Sequence, residues 1–209
     1  MQSKTISISG VDGSGKSTII LALKQHLKEQ GYNVKIKRSR PLSWPILSSL
    51  KHGRKKAELL ASTQDHKTKT IQGNYKSILK FLYYYTDYLL GSIYIYITLL
   101  KPKTVIIFDR YYFDYICDQS RFSLSVNKKF VAYAAKFIHI PDLNIYLRAS
   151  ENDIYKHRLE QTPQQIKYAS IHYQELFRIG KEKYGSEFFI VDGLKPETTS
   201  IIKRIVDEY

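Results

Sequence analysis

Short apolar runs alternate along this chain with longer segments of helical periodicity. TISIS (5–9), NVKIK (33–37), TVIIF (104–108), DLNIYL (142–147) and EFFIVD (187–192) have the length and β-branched content of strands. After the first run, KSTIILALKQHLKEQ (16–30) places Ile19, Ile20, Leu23 and Leu27 at helical spacing, and Gly31 stands where a C′ glycine stops a helix. Residues 74–100 predict a long helix, bent near Gly91, and 125–139, 151–161, 163–184 and 196–208 predict further helices. Ser150 is placed to N-cap one of them, with Asp153 three residues on. Strands separated by helices predict an α/β fold, with a parallel sheet covered on both faces. Ligands of open α/β sheets sit beyond the carboxyl ends of the strands, so the residues just after each strand are the candidates for chemistry.

Composition narrows the picture modestly. The chain has 209 residues, 43% of them hydrophobic, and shows no repeat, low-complexity tract or Gly/Ser/Pro linker, so one domain over 1–209 is expected. The apolar stretch 81–100 is long enough to span a bilayer, but Asp87, Gly91 and its tyrosines favour a buried or interfacial helix. MQSKTISISG lacks the basic-then-apolar order of a signal peptide, and the single cysteine, Cys117, fits a reducing compartment. A cytoplasmic location follows as the expectation. The formal net charge of +14 attracts polyanions without choosing among them. The sequence carries no helix-turn-helix, RRM or zinc-finger pattern, so specific nucleic-acid binding is not expected.

The densest chemistry follows the first strand. GVDGSGKST (10–18) contains G-x-x-x-x-G-K-[ST] in full, with Gly10, Gly15, Lys16 and Ser17 at the required positions. Glycines in such a loop let backbone N–H groups curl around phosphate oxygens, and the following helix adds its positive end. Gly10, Asp12, Gly13, Ser14, Gly15, Lys16, Ser17 and Thr18 are therefore the nucleotide-binding candidates, with Lys16 reaching the β- and γ-phosphates and Ser17 ligating Mg²⁺. The third run ends in Asp109, placed either to hold Mg²⁺ through its water shell or to cap the segment after it. Arg110 offers a planar fork for a phosphate, or for an ion pair with Asp109 or Asp114. No [NT]KxD guanine motif is present, and the length suits a small kinase better than a motor or helicase.

These motifs resemble those of the thymidylate kinase family, and the resemblance covers nearly the whole chain. It is carried by GVDGSGKST, FDRYYFD (108–114), PDLNIYLRASENDIYKHRLE (141–160), HYQELF (172–177) and FIVDGLKPE (189–197). It implies a three-layer α/β/α fold with a five-stranded parallel sheet and a mobile lid, near 156–168. It also implies ATP and Mg²⁺, with γ-phosphoryl transfer to an acceptor such as dTMP. Carried over residue by residue, Lys16, Asp109, Arg110 and Arg158 form the catalytic set, with Lys156 and Lys167 as further lid cations. Asp12, Arg38, Arg40, Tyr84, Tyr88 and Arg110 face the acceptor.

The sequence also departs from the family pattern. KRSRPLSW (37–44) stands where an Arg-Glu-Pro-Gly-Gly stretch is usual, and Tyr88 where an arginine helps clasp the thymidylate. TDYLLG (86–91), together with the motifs above, resembles a divergent branch found with bacterial capsule and O-antigen genes. That branch implies a sugar or glycan acceptor as the alternative, and a nucleotide-binding protein without transfer activity as a third reading. The acceptor is thus a small anionic or sugar-containing molecule. KHGRKK (51–56) reads as a solvated loop, or as a contact for an anionic acceptor or acidic lipid. A homodimer and peripheral membrane contact are both compatible with the sequence.

Overall fold

The computed structural model describes residues 3–42, 74–149 and 163–209. All five expected strands form: β1 (Lys4–Gly10), β2 (Asn33–Arg38), β3 (Thr104–Asp109), β4 (Leu143–Arg148) and β5 (Glu187–Asp192). They make one parallel sheet in the order β2-β3-β1-β4-β5. The described helices are α1 (Lys16–Glu29), α2 (Asn74–Leu99), α3 (Asp114–Cys117), α4 (Lys128–Ala134), α5 (Pro163–Tyr184) and α6 (Thr198–Glu208). The result is the expected α/β/α sandwich. The helix expected at 151–161, the Ser150 cap and the basic run 51–56 lie outside the described residues.

Alternation along the strands builds the two cores. Val105 and Ile107 of β3 pack with Ile6 and Ile8 of β1 against Ile19, Ile20, Leu23 and Leu27 of α1 and Ile202 and Val206 of α6. Ile106 and Phe108 face the other way, into a layer with α2, α3, α4 and α5. Each fully buried Ile, Val or Phe contributes roughly 1.5–3 kcal/mol relative to exposure. The serines and threonine of TISIS line the second face, where Ser7 donates to Asn144 Oδ1 at 2.7 Å and Thr5 to Asp142 Oδ2 at 2.7 Å. α1 ends as the sequence predicts: the N–H of Gly31 donates to Lys28 O and that of Tyr32 to Leu27 O, both at 3.0 Å.

The aromatics behind Asp109 and Arg110 belong to the second core. The Tyr88 ring stands nearly perpendicular to Tyr111 and Tyr112, with centroids 5.2 Å from each. The Tyr111 hydroxyl donates to His139 O at 2.7 Å and that of Tyr112 to Val131 O at 2.8 Å, so both buried polar tips are satisfied. Cys117 is buried among them, and burial pushes its thiol well above the usual range.

Two expectations change in detail. The helix over 125–139 is shorter: Asn127 accepts from Lys129 N to start α4, and a 3₁₀ turn (Ala135–Phe137) replaces its end. There His139 N donates to Ser92 Oγ at 2.7 Å, which draws the chain toward α2 and out of helical geometry. α2 runs unbroken through Gly91, whose role is close approach. A Cβ there would lie 2.5 Å from Pro41 Cβ, so the glycine admits the segment that follows β2. Asp87, fully buried on the same helix, accepts from Leu42 N at 2.9 Å and pairs with Arg40 at 3.6 Å. No helix of the described residues is long and apolar enough to cross a membrane.

Gly91→Ala should lower stability by about 1–2 kcal/mol, the cost of overpacking reduced by alanine's better helix propensity. Thermal denaturation should show a melting point about 2–8 °C lower. An unchanged melting point would mean that Pro41 yields without cost.

Candidate active site

The loop between β1 and α1 closes tightly. A Cβ at Gly10 would fall 2.6 Å from Ser14 Oγ and 2.9 Å from the Leu147 carbonyl. Gly13 and Gly15 adopt left-handed backbone, with φ of 88° and 87°. Gly15 begins α1 with no side-chain cap, so the first-turn N–H groups are left for an anion. Ser14 is fully buried, and its hydroxyl has no hydrogen-bond partner among the described residues. Lys16 is also buried and donates to Val11 O at 2.7 Å. Burial, reinforced by Arg110, lowers its pKa to about 7 against the opposing pull of Asp12. Ser17 and Thr18 are exposed on the opening turn of α1.

β3 lies beside β1, and Asp109 sits level with Ile8 in the register. The Asp109 carboxylate is half-buried and has no hydrogen bond or ion pair among the described residues. Arg110 then leaves the strand in left-handed backbone (φ 71°) while its N–H still donates to Ile8 O at 2.9 Å. Such a conformation costs a non-glycine residue about 1–2 kcal/mol. Its ion-pair partners are Asp12 and Asp114. Nη2 donates to Asp12 Oδ1 at 2.6 Å and Nη1 to Asp114 Oδ2 at 3.2 Å. Tyr173 of α5 donates to the other Asp114 oxygen at 2.6 Å, so a helix 59 residues further along the chain helps hold Arg110. Burial raises the Asp114 pKa against the opposing pull of Arg110.

A second arginine reaches the same place. Arg121 Nη2 donates to Asp12 Oδ2, and its Nε donates to Asp118 Oδ2 at 3.4 Å. Asp118 also caps the short turn Gln119–Phe122 that carries Arg121. Burial alone would raise the Asp12 pKa, but Arg110, Arg121 and Lys16 outweigh it and hold the carboxyl at about 2.

The end of β2 forms the adjoining wall. Arg38 is exposed and level with Asp109. Ser39 turns left-handed (φ 62°), donating to Asp109 O at 2.8 Å. The Tyr88 hydroxyl donates to Ser39 O at 2.9 Å, so Tyr88 supports this turn from inside the core. Arg40 is buried over the Tyr84 ring, its guanidinium carbon 4.8 Å from the centroid, beside Asp87. The structure thus brings Gly10 to Thr18, Asp109 and Arg110 to one end of the sheet, with Arg38 and Arg40 next to them. Tyr84 and Tyr88 lie behind that wall. Lys167 is exposed on α5, and Lys156 and Arg158 lie outside the described residues.

Arg121, Asp118, Tyr173 and Gly193 carry no role in the sequence analysis. Gly193 walls the phosphate loop, since a Cβ there would lie 2.4 Å from Ser14 O. Asp118 and Arg121 stand three apart beside the Asp-Arg-Tyr motif, a local signal for one anchored turn. Tyr173 and Gly193 lie within HYQELF and FIVDGLKPE, but their contacts with Asp114 and Ser14 depend on chain crossing.

A phosphate loop after the central strand, an acid ending the next strand and a five-stranded parallel sheet together define a P-loop nucleotide-binding protein of the small-kinase class. The model of the thymidylate kinase family matches residues 8–205, and the chain belongs to that family. No curated protein matches the sequence.

A carboxyl whose pKa is depressed on folding adds stability above its unfolded value, near 4, and loses it as pH falls through its folded value. For Asp12 that loss runs from about pH 4 to about pH 2. Asp12→Asn should therefore melt below the wild type between pH 5 and 8, with the gap closing over that acid range. A gap that stays constant down to pH 2 would show that charge is not what Asp12 contributes.

Proposed function

We propose that this protein is a single-domain ATP-dependent nucleoside monophosphate kinase, with dTMP the default acceptor. The observation that carries this reading is the contact of Arg110 with Asp12, which joins an anion-binding fork to the phosphate loop itself. A fork buried there suits an acceptor that is itself a phosphate ester. A sugar acceptor would be held chiefly by aromatic faces stacked on its rings. Tyr84, Tyr88, Tyr111 and Tyr112 are buried in the core, which leaves their faces little room for a sugar.

The residues fit Mg-ATP. The uncapped helix start, the buried Ser14 hydroxyl and Lys16 suit phosphate oxygens, and the exposed Ser17 and the Asp109 carboxylate, which has no partner among the described residues, suit Mg²⁺ and its water shell. When bound, the metal would neutralise charge on the β- and γ-phosphates. In the proposed reaction, an oxygen of the acceptor phosphate attacks the γ-phosphorus in line while its bond to the β-phosphate oxygen breaks. Arg110 orients the acceptor phosphate, Asp12 accepts from an acceptor hydroxyl, and Lys16 follows the charge on the transferred group. Arg38 and Arg40 hold the acceptor side of the site. Arg158, with Lys156 and Lys167, would neutralise the moving phosphoryl group from a lid near 156–168.

ADP release from Mg-ATP should be measured with the four common deoxynucleoside monophosphates, their ribose equivalents, simple sugars and capsule-type oligosaccharides. Selective turnover of one monophosphate is expected. Turnover of sugars or glycans, with none of any nucleotide, would replace this reading with the glycan-kinase one.

Lys16→Met should cut turnover by at least about 10²-fold, the scale of losing one electrostatic stabiliser, without changing the circular dichroism spectrum. Arg110→Lys keeps the charge and loses the fork. Its acceptor kcat/KM should fall about 10- to 100-fold, the equivalent of a charged hydrogen bond, while ATP affinity holds. Lower ATP affinity with unchanged acceptor kinetics would assign Arg110 to the other substrate.

A further inference from the structure

Arg110 and Arg121 approach Asp12 from different segments, one at the end of β3 and one on the turn after α3. Each arginine also has a carboxylate of its own. Asp114 holds Arg110 from the core, and Asp118 holds Arg121 through its own turn. The shared partner differs from these two in position. The Asp12 side chain is 29% exposed, against 0% for Asp114 and 9% for Asp118. The two forks are therefore fixed from behind and bridged in front by one accessible anion. That bridging carboxylate sits on the phosphate loop, 3.9 Å from the Lys16 ammonium.

We propose that Asp12 occupies the seat of an incoming phosphate monoester, and that Arg121 is a specificity-determining residue which grips that phosphate together with Arg110. This deepens the proposed function and rests on it for the acceptor's nucleoside part. The phosphate seat stands on the two-arginine geometry alone. A carboxylate has two oxygens and gives one to each fork. A dianionic phosphate has three terminal oxygens, enough to bond both forks and still present one toward the nucleotide. Once the phosphate enters, Asp12 is released from both arginines and is free to accept from an acceptor hydroxyl. A neutral sugar cannot make this exchange, because displacing Asp12 would leave two largely buried guanidiniums without an anion between them. The seat thus selects for charge before any base is read.

The test is calorimetric titration of the full chain with inorganic phosphate, dTMP, thymidine and ADP, for wild type, Arg121→Gln, Arg121→Lys and Asp12→Asn. Arg121→Gln should weaken phosphate and dTMP at least tenfold and leave ADP affinity unchanged, with a melting point lowered no more than that of Asp12→Asn. Arg121→Lys should recover part of that loss, since it restores the charge without the fork. Asp12→Asn should tighten inorganic phosphate several-fold while lowering turnover, because it removes the competing anion. An Arg121→Gln variant that binds phosphate and dTMP like wild type would overturn the proposal. So would an Asp12→Asn variant that binds phosphate more weakly. If wild type binds phosphate through Arg121 but no nucleoside monophosphate, the seat stands and the nucleotide-kinase reading falls. If wild type binds neither phosphate nor any monophosphate, both fall.

Discussion

The concentration of positive charge behind the phosphate loop is the constraint on which this end of the molecule depends. Lys16, Arg110 and Arg121 all stand close to Asp12 and are largely removed from water. Without anions among them, burial and mutual repulsion would drive the segments apart. Asp12, Asp114 and Asp118 supply that compensation; Asp12 ties the phosphate loop to two other segments, Asp114 reaches α5 through Tyr173, and Asp118 anchors Arg121 within its own turn. The balance at Lys16 is incomplete, as its pKa near 7 indicates. The arriving triphosphate would complete it, so the free loop is electrostatically prepared for an anion before one binds.

Tyr88 works as a support: its hydroxyl secures Ser39 in a left-handed turn. That turn leads to Arg40, which lies over Tyr84 beside Asp87. Gly91, one turn further along α2, lets Pro41 close over the helix. Tyr84 and Tyr88 thus fix the backbone and side chains at the end of β2, beside the phosphate loop.

The strands were legible because short apolar, β-branched runs set between helical segments have few other physical solutions, and each lies within a residue or so of where the run put it. The phosphate loop was legible because its glycines, lysine and serine are local in sequence. What escaped depended on distance. Tyr173 meets Asp114 across 59 residues and Arg121 meets Asp12 across 109, and neither partner's sequence neighbourhood announces the other. Gly91 pointed to a bend because a helical glycine signals either weakness or close approach, and the choice rests on Pro41, fifty positions away. The shortening of 125–139 has a similar origin, since Ser92 of another helix claims the His139 amide.

Gly193 gives the order of synthesis a physical meaning. The backbone after β5 packs so closely on Ser14 that the phosphate loop acquires this wall from the far end of the chain. Residues 10–18 leave the ribosome early, but they remain an open strap until β4 and then β5 have joined the sheet beside β1. Contacts of such long sequence separation form late, because loop closure must precede them. A nascent fragment, however long its exposed amino-terminal half, is therefore a poor trap for cellular nucleotide. The loop's wall and the sheet are completed by the same late strand.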